Sequence, residues 1–479
     1  MPAIRSASTQ TGQSTSNRAR SFSKGVRSCT LLPLQRTSHR KAFGRIVAMT
    51  TVQATTSISG SSAQSNSAWH GRAAKLTPAG VHSNARLVGA DVVFTHGDGP
   101  WLIDVEGNRH IDYMLGRGPA FLGHTPRVVN DAVAAAAAHG LTLGSGTTLE
   151  VEAAAAALSV IEWADQIRFV SSGTEAVQSA FRLARAATGK SLVMQFEGIY
   201  HGWIDNVSLM AGLDPEHAVA ATAGQVPSSG AHTLLLPWND LAAVEEAFAT
   251  HGHDVAAVIT EASNLFGGVL AAPGYLEALR AITRRYGAAL IFDEVVTGFR
   301  LRPGTAAPLF GVTPDLATYA KALGSGWPVA AVVGTAAMFE GVASDRVRLS
   351  GTYNGNSAAM AAIVATVESM RDGTLHQGAR AFGERLQAAL VDAAATVGVS
   401  LHVEGFPTAF WLVFDAVDRR SSDAAAENLG LVLRRHRVIQ YHHTWLVSTA
   451  HDDAALSFTV AAFIDALTEL VAEDPSLEG

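Results

Sequence analysis

The sequence predicts an α/β protein: a large domain on a mainly parallel sheet, and a smaller α+β domain assembled from the N- and C-terminal segments. Three observations predict it. Between about residues 166 and 333, apolar strands alternate with helices, with glycine turns between them. Short strands joined by tight turns precede that region, and helices followed by strands come after it. The chain has 479 residues, 48% hydrophobic and 16% charged, with 44 glycines, which suffices for a large core with a satellite.

Folded character begins near Ala68. Strands are expected over residues 92–96, 101–105 and 109–113, because Gly97-Asp98-Gly99-Pro100 and Glu106-Gly107-Asn108 are turn sequences. The alanine-rich stretch 128–139, closed by Gly140, reads as a helix, and 149–158 as another. Strands follow at 166–171, 191–196, 255–260, 288–292, 316–319 and 329–333, with helices at 174–187 and 274–286. Helices at 358–371 and 379–397, strands at 401–403 and 409–414, and a closing helix to about Ala472 complete the chain. The expected division is residues 1–65 outside the fold, 66–121 in the small domain, 122–357 as the large domain, and 358–479 back in the small domain.

A formal net charge of -7 gives no reason to expect nucleic acid as a partner. No uninterrupted apolar run reaches about 18 residues, so no membrane span is expected. Cys29 is the only cysteine, which excludes a disulfide framework. The first 90 residues hold no Asp or Glu, while residues 1–50 hold nine Arg or Lys among many Ser and Thr. That composition is read as a transit peptide for a plastid or a mitochondrion. A true translation start at Met49, leaving a cytoplasmic protein, is the other reading.

The segment Ile291-Phe292-Asp293-Glu294-Val295 carries the chemistry. An apolar strand ends in a carboxylate, and Lys321 follows 28 residues after Asp293 among small residues, Ala320, Ala322 and Gly324. That pair suits pyridoxal 5'-phosphate. Lys321 would form the Schiff base, and Asp293 would hold the pyridine nitrogen protonated, since an opposite charge favours the charged form. Released from the cofactor, Lys321 is an amine able to act as general base and acid. Val295 points to the same side as Asp293 and is expected against one face of the ring, with Tyr200 against the other. Glu294 points away and is read as structural.

Ser171-Ser172-Gly173-Thr174 lies between a strand and a helix. Free N–H groups and the positive end of the helix dipole make an anion site there, and Ser172 and Thr174 add hydroxyls. A plain helix cap is the alternative. Gly198-Ile199-Tyr200-His201-Gly202 places an aromatic pair between glycines, with His201 beside the stacking Tyr200. Ser350-Gly351-Thr352-Tyr353-Asn354-Gly355 suits a second phosphate contact. His442, His443 and His451 raise a metal reading. Adjacent strand histidines face opposite sides, and no acidic cluster accompanies them, so no metal is expected.

Taken in order, these motifs resemble the class III pyridoxal-phosphate-dependent aminotransferases, and within them the glutamate-1-semialdehyde 2,1-aminomutase branch. The resemblance runs from about Leu76 to about Leu470 and includes Pro78 to Arg86, Ile111-Asp112-Tyr113, Leu122-Gly123-His124, Pro314-Asp315-Leu316 and Ser448-Thr449-Ala450-His451. It implies fold type I and a homodimer with active sites at the subunit interface. It implies Lys321 as the Schiff-base lysine and Asp293 as the pyridine partner. Val295 and Tyr200 would sandwich the ring, Ser172, Gly173 and Thr174 would hold the phosphate, and Thr352 would reach the phosphate of the neighbouring subunit. Arg86 matches the arginine that clamps a substrate carboxylate, a role suited to a planar guanidinium.

The chain also departs from that branch. Gly324-Ser325-Gly326-Trp327-Pro328 stands where aminomutases carry Gly-Gly-Gly-Leu-Pro. Gly351-Thr352-Tyr353-Asn354-Gly355-Asn356-Ser357 replaces Gly-Thr-Leu-Ser-Gly-Asn-Pro. Ile439-Gln440-Tyr441-His442-His443 lacks the branch's glutamate. Glu261-Ala262-Ser263 replaces Glu-Pro-Val, and the asparagine expected at the cofactor's O3' is out of register, with Asn264 the nearest substitute. These departures favour an aminotransferase moving an amino group from a small-molecule donor to a keto-acid or aldehyde acceptor. The isomerase that forms 5-aminolevulinate is the alternative. A non-catalytic member of the fold is disfavoured by the complete Asp293 and Lys321 pair.

Overall fold

The computed structural model describes residues 65–211, 218–415 and 417–477. The expected transit peptide, and Cys29 with it, lies outside the described residues.

Seven strands form the central sheet, in the order Gln166–Val170, Ala330–Gly334, Leu316–Tyr319, Ala289–Asp293, Val255–Thr260, Leu192–Phe196, Thr233–Leu236. Ala330–Gly334 runs antiparallel to both neighbours, and the other pairings are parallel. The mainly parallel expectation therefore holds, with one reversed strand. Every residue of Val255–Thr260 and of Ala289–Asp293 is buried. Helices cover both faces of such a sheet, which is why these strands read as continuous apolar runs rather than alternating ones. One cover is helix Gly173–Thr188, whose apolar side (Val177, Ala180, Phe181, Leu183, Ala184) packs on Val193, Ala257 and Ile259. Gly189 ends it at a φ of 72°, the left-handed turn that glycine accepts without strain.

Phe94–Asp98, Trp101–Asp104 and Arg109–Asp112 form an antiparallel meander, which Val438–Ile439 joins in parallel from the far end of the chain. Leu401–Phe406, Ala409–Phe414 and Thr444–Leu446 form a further sheet. Helices Thr374–Thr396, Arg419–Arg435 and Asp453–Glu473 pack around these strands. The last is long and apolar enough to cross a membrane, with a mean hydropathy of 1.6. Its apolar residues are spent on the core, where Ala462, Phe463, Ala466, Leu467 and Leu470 are buried.

Glu294 is buried as a structural group. Its carboxyl accepts from Thr305 Oγ1, Ala306 N and Tyr319 Oη, and burial raises its pKa.

Candidate active site

In a parallel sheet, ligands sit outside the carboxyl ends of the strands. Asp293, Glu261, Thr318 and the loops after Val170 and Phe196 all lie at such ends.

Asp293 closes its strand and is 3% exposed. Its Oδ2 lies 2.7 Å from His201 Nδ1, and its Oδ1 accepts from Thr318 Oγ1 at 3.0 Å and from the Val295 amide at 3.1 Å. A carboxylate can only accept, so His201 donates. His201 also borders the cavity, but its Nδ1 is spent on Asp293. His201 thus holds the aspartate and borders the cavity, with its Nε2 lacking a partner among the described residues.

Lys321 follows strand Leu316–Tyr319 and has a φ of 50°, a conformation that side chains rarely adopt and that collects at functional sites. Burial lowers its pKa; Glu261 and Asp293 act against that, while Arg300 and Arg117 add to it. Such an amine sheds its proton more readily than an ordinary lysine, which suits a nucleophile and proton carrier.

A cavity of about 180 Å³ joins Lys321 and Asp293 to Gly173, Thr174, Tyr200 and Val295. Side chain and backbone are close there. A Cβ on Gly173 would stand 3.3 Å from Val295 Cγ2, and one on Gly202 would stand 2.7 Å from Thr174 Oγ1. Tyr200 is 68% exposed, at the cavity mouth. Ser172 caps helix Gly173–Thr188. Its Oγ accepts from the Glu175 amide at 3.3 Å and donates to Glu175 Oε2 at 3.2 Å, so Gly173 and Thr174 alone of the trio border the cavity.

Asn264 and Arg86 do not border this cavity, and neither does Thr352, which was expected at the neighbouring subunit's phosphate. The Nδ2 of Asn264 donates to Gly198 O at 3.1 Å and its Oδ1 accepts from Gly267 N at 2.7 Å, so the amide staples two loops. Arg86 is exposed in the turn Asn84–Arg86 and borders a neighbouring cavity of about 470 Å³, not that of Lys321. Thr352 is exposed in a loop whose Ser350 and Gly351 border an open groove of about 840 Å³. Of the histidines, His442 is exposed beside Glu427, and His451 is buried with its ring stacked 4.5 Å from Tyr113.

Residues the sequence reading passed over complete the site. Glu261 is 4% exposed, and its Oε2 has no hydrogen-bond partner among the described residues. Burial raises its pKa, Asp293 adds to that, and Lys321 opposes it. Phe266 lies beneath the lysine, with Nζ 4.6 Å from its ring centroid. Arg300 is wholly buried, donates to Gly118 O and Val447 O, and is lowered to about 9 by burial.

These residues fit pyridoxal 5'-phosphate. A lysine of lowered pKa, a firmly held carboxylate, an apolar wall and a glycine-lined helix N-terminus share one cavity, with His201 Nε2 and Glu261 Oε2 left without partners. Such a site at the strand ends of this sheet defines a pyridoxal-phosphate-dependent enzyme of fold type I.

Residues 83–463 match the family pattern described as aminotransferase class-III, and the chain belongs to that family. Among curated proteins it is similar to glutamate-1-semialdehyde 2,1-aminomutase of Bordetella avium, 38% identical over 407 residues, which cover 81% of this chain and 95% of the relative. The protein of the same name from Roseiflexus castenholzii is 39% identical over 424 residues, covering 83% and 96%. Among solved structures, an omega-transaminase from Sphaerobacter thermophilus superposes with a TM-score of 0.78 at 27% identity, over 85% of this chain and 98% of that one. A glutamate-1-semialdehyde aminomutase from Pseudomonas aeruginosa PAO1 gives 0.69 at 27%, over 79% and 88%.

Proposed function

We propose that the chain moves an amino group onto a carbonyl carbon of a small carboxylate-bearing substrate. One observation carries this: Lys321 and the clamped Asp293 border a single cavity. Bound pyridoxal 5'-phosphate supplies an aldehyde and an electron-accepting ring. Asp293 would keep the ring nitrogen protonated, and His201 and Thr318 hold Asp293 in place. Val295 and Tyr200, which line the cavity, would hold the ring between them. Lys321 Nζ takes the proton from the amine-bearing carbon of the substrate and returns it.

The names of the relatives support glutamate-1-semialdehyde 2,1-aminomutase activity, with one substrate isomerised to 5-aminolevulinate. A second reading, a two-substrate aminotransferase, draws on the higher TM-score of the omega-transaminase and on the absence of a glutamate from Ile439 to His443. Incubation with glutamate-1-semialdehyde alone separates them. The mutase forms 5-aminolevulinate with no second substrate, whereas the aminotransferase turns over only with an amino donor plus pyruvate, 2-oxoglutarate or an aldehyde. Failure on both tests would contradict the proposal.

Two further parts belong to it. A homodimer, with Thr352 at the neighbouring subunit's phosphate, predicts twice the chain mass by light scattering. Import into a plastid or mitochondrion rests on the basic, acid-free N-terminus, and a fluorescent fusion that stays in the cytoplasm would contradict it.

A further inference from the structure

Two arginines are buried among the described residues, and they differ in their partners. Arg280 pairs with Asp315 Oδ2 at 2.7 Å. Arg300 is 0% exposed, and no carboxylate among the described residues pairs with it. Its guanidinium donates to Val447 O at 3.2 Å and to Gly118 O, lies 5.3 Å from the Phe121 ring centroid, and leaves Nε without a partner. A buried charge without a counter-charge is costly, and groups perturbed in this way cluster at functional sites. Burial lowers the pKa of Arg300 to about 9, so it remains a cation at neutral pH.

Gly118 stands between this cation and the lysine. A Cβ placed on it would lie 3.4 Å from Lys321 Cδ and 3.8 Å from Arg300 Nη2, so a single backbone residue separates the guanidinium from the lysine stem. Its φ of 107° favours glycine, which keeps any side chain from wedging the two apart. Arg300 itself does not border the cavity.

The cavity sets two demands against each other. Asp293 must be charged to keep the ring nitrogen protonated, and Glu261 borders the same space. Nearby carboxylates hold a lysine as ammonium, which can neither attack an aldehyde nor take a proton. The charged groups bearing on Lys321 are Asp293 and Glu261, which favour its ammonium form, and Arg300 and Arg117, which oppose it together with burial. Arg117 is turned to Tyr441 Oη at 2.9 Å and to Ala85 O. From helix Thr374–Thr396, His376 feels the charge of Arg300; burial keeps it neutral, and its Nε2 lies 3.1 Å from Phe299 O, so it supplies no counter-charge.

We propose that Arg300 is a positioning residue that acts by charge: from behind Gly118 it disfavours the ammonium form of Lys321, offsetting Asp293 and Glu261, so that the amine is free to join the cofactor and to move the substrate proton. This rests on the amino-group transfer proposed above and deepens it.

The test uses the full chain stripped of cofactor and follows the rate of pyridoxal 5'-phosphate uptake against pH. In the native protein the limb at which the lysine loses its proton should lie below the ordinary lysine value of about 10.4. In Arg300→Met that limb should move up by about one pH unit. Arg300→Gln keeps a donor but no charge and should move the limb as far, whereas Arg300→Lys keeps the charge and should stay closer to native. His376→Glu leaves the guanidinium and its two carbonyl bonds in place and supplies a carboxylate near it, so the limb should rise there as well. A cooperative melt shows that a variant is folded, and His376→Glu decides the matter if the Arg300 variants do not fold. The assignment is overturned if the limb stays put in the folded neutral variants or in His376→Glu, if Arg300→Lys moves it as far as Arg300→Met, or if the native limb lies at the ordinary lysine value. A native chain that takes up no cofactor at any pH contradicts the functional reading itself, which separates the two failures.

Discussion

His201 Nδ1 lies 2.7 Å from Asp293 Oδ2, and both side chains are buried, at 2% and 3% exposure. Thr318 and the Val295 amide hold the other oxygen, so the carboxylate has one orientation. His201→Phe keeps the volume but removes the donor. A hydrogen bond to a charged group contributes about 1.5–3 kcal/mol. Cofactor affinity and kcat/KM should therefore fall by roughly ten- to a hundredfold. His201→Asn, which keeps a donor on a short side chain, should lose less. Equal losses in the two variants would show that His201 serves only as filling.

Glu261 and Lys321 oppose each other across the cavity. The carboxylate raises the lysine's pKa and the lysine lowers that of the carboxyl, while burial pushes each the other way and is the larger effect. Glu261→Gln removes the negative partner, so Lys321 should lose its proton at lower pH. The rate at which cofactor-free protein takes up pyridoxal 5'-phosphate, followed against pH, reports this directly. Its lysine-dependent limb should move to lower pH, and a move to higher pH would contradict the arrangement.

His376 and His451 are both held near a pKa of about 4, chiefly by burial. The unfolded chain titrates these groups near 6.5, so it takes up protons first as the pH falls. The stability they confer by remaining neutral is intact above pH 6.5 and drains away as the pH drops towards 4. Each group contributes at most about 3 kcal/mol to that loss. Denaturant melts at several pH values should show stability falling through that window. The slope should be shallower in His376→Gln, and an unchanged slope would remove this residue from the account.

Much of the sheet was legible because buried parallel strands are apolar on both faces. Val255–Thr260 and Leu316–Tyr319 appear as expected, bounded by Asp254 and Glu261, and by Asp315 and the glycine-rich turn after Lys321. Thr233–Leu236, an edge strand as long as Leu316–Tyr319, was not expected. Helix Arg419–Arg435 buries Leu429, Val432 and Leu433 only in its second half, while its first half buries Ser422, Ala425 and Ala426, so its apolar periodicity is weak over much of its length. Asp293 could be found because a carboxylate ends an apolar strand. Glu261 carries the same signal after Val255–Thr260 and could have been found too. Arg117, Phe266 and Tyr441 come together from loops far apart in the chain, and no local spacing announces that meeting. Asn264 lies off the cavity, where its amide ties Gly198 to Gly267, a tie between loops that no local spacing announces.

The most direct test of the central claim is peptide mass analysis after borohydride reduction of the cofactor-loaded protein. A reduced pyridoxyl-phosphate adduct should appear on the peptide containing Lys321 and on no other. Lys321→Ala should lose the adduct and all turnover while still binding the cofactor without a covalent bond. An adduct on a different lysine, or full activity in Lys321→Ala, would contradict the account.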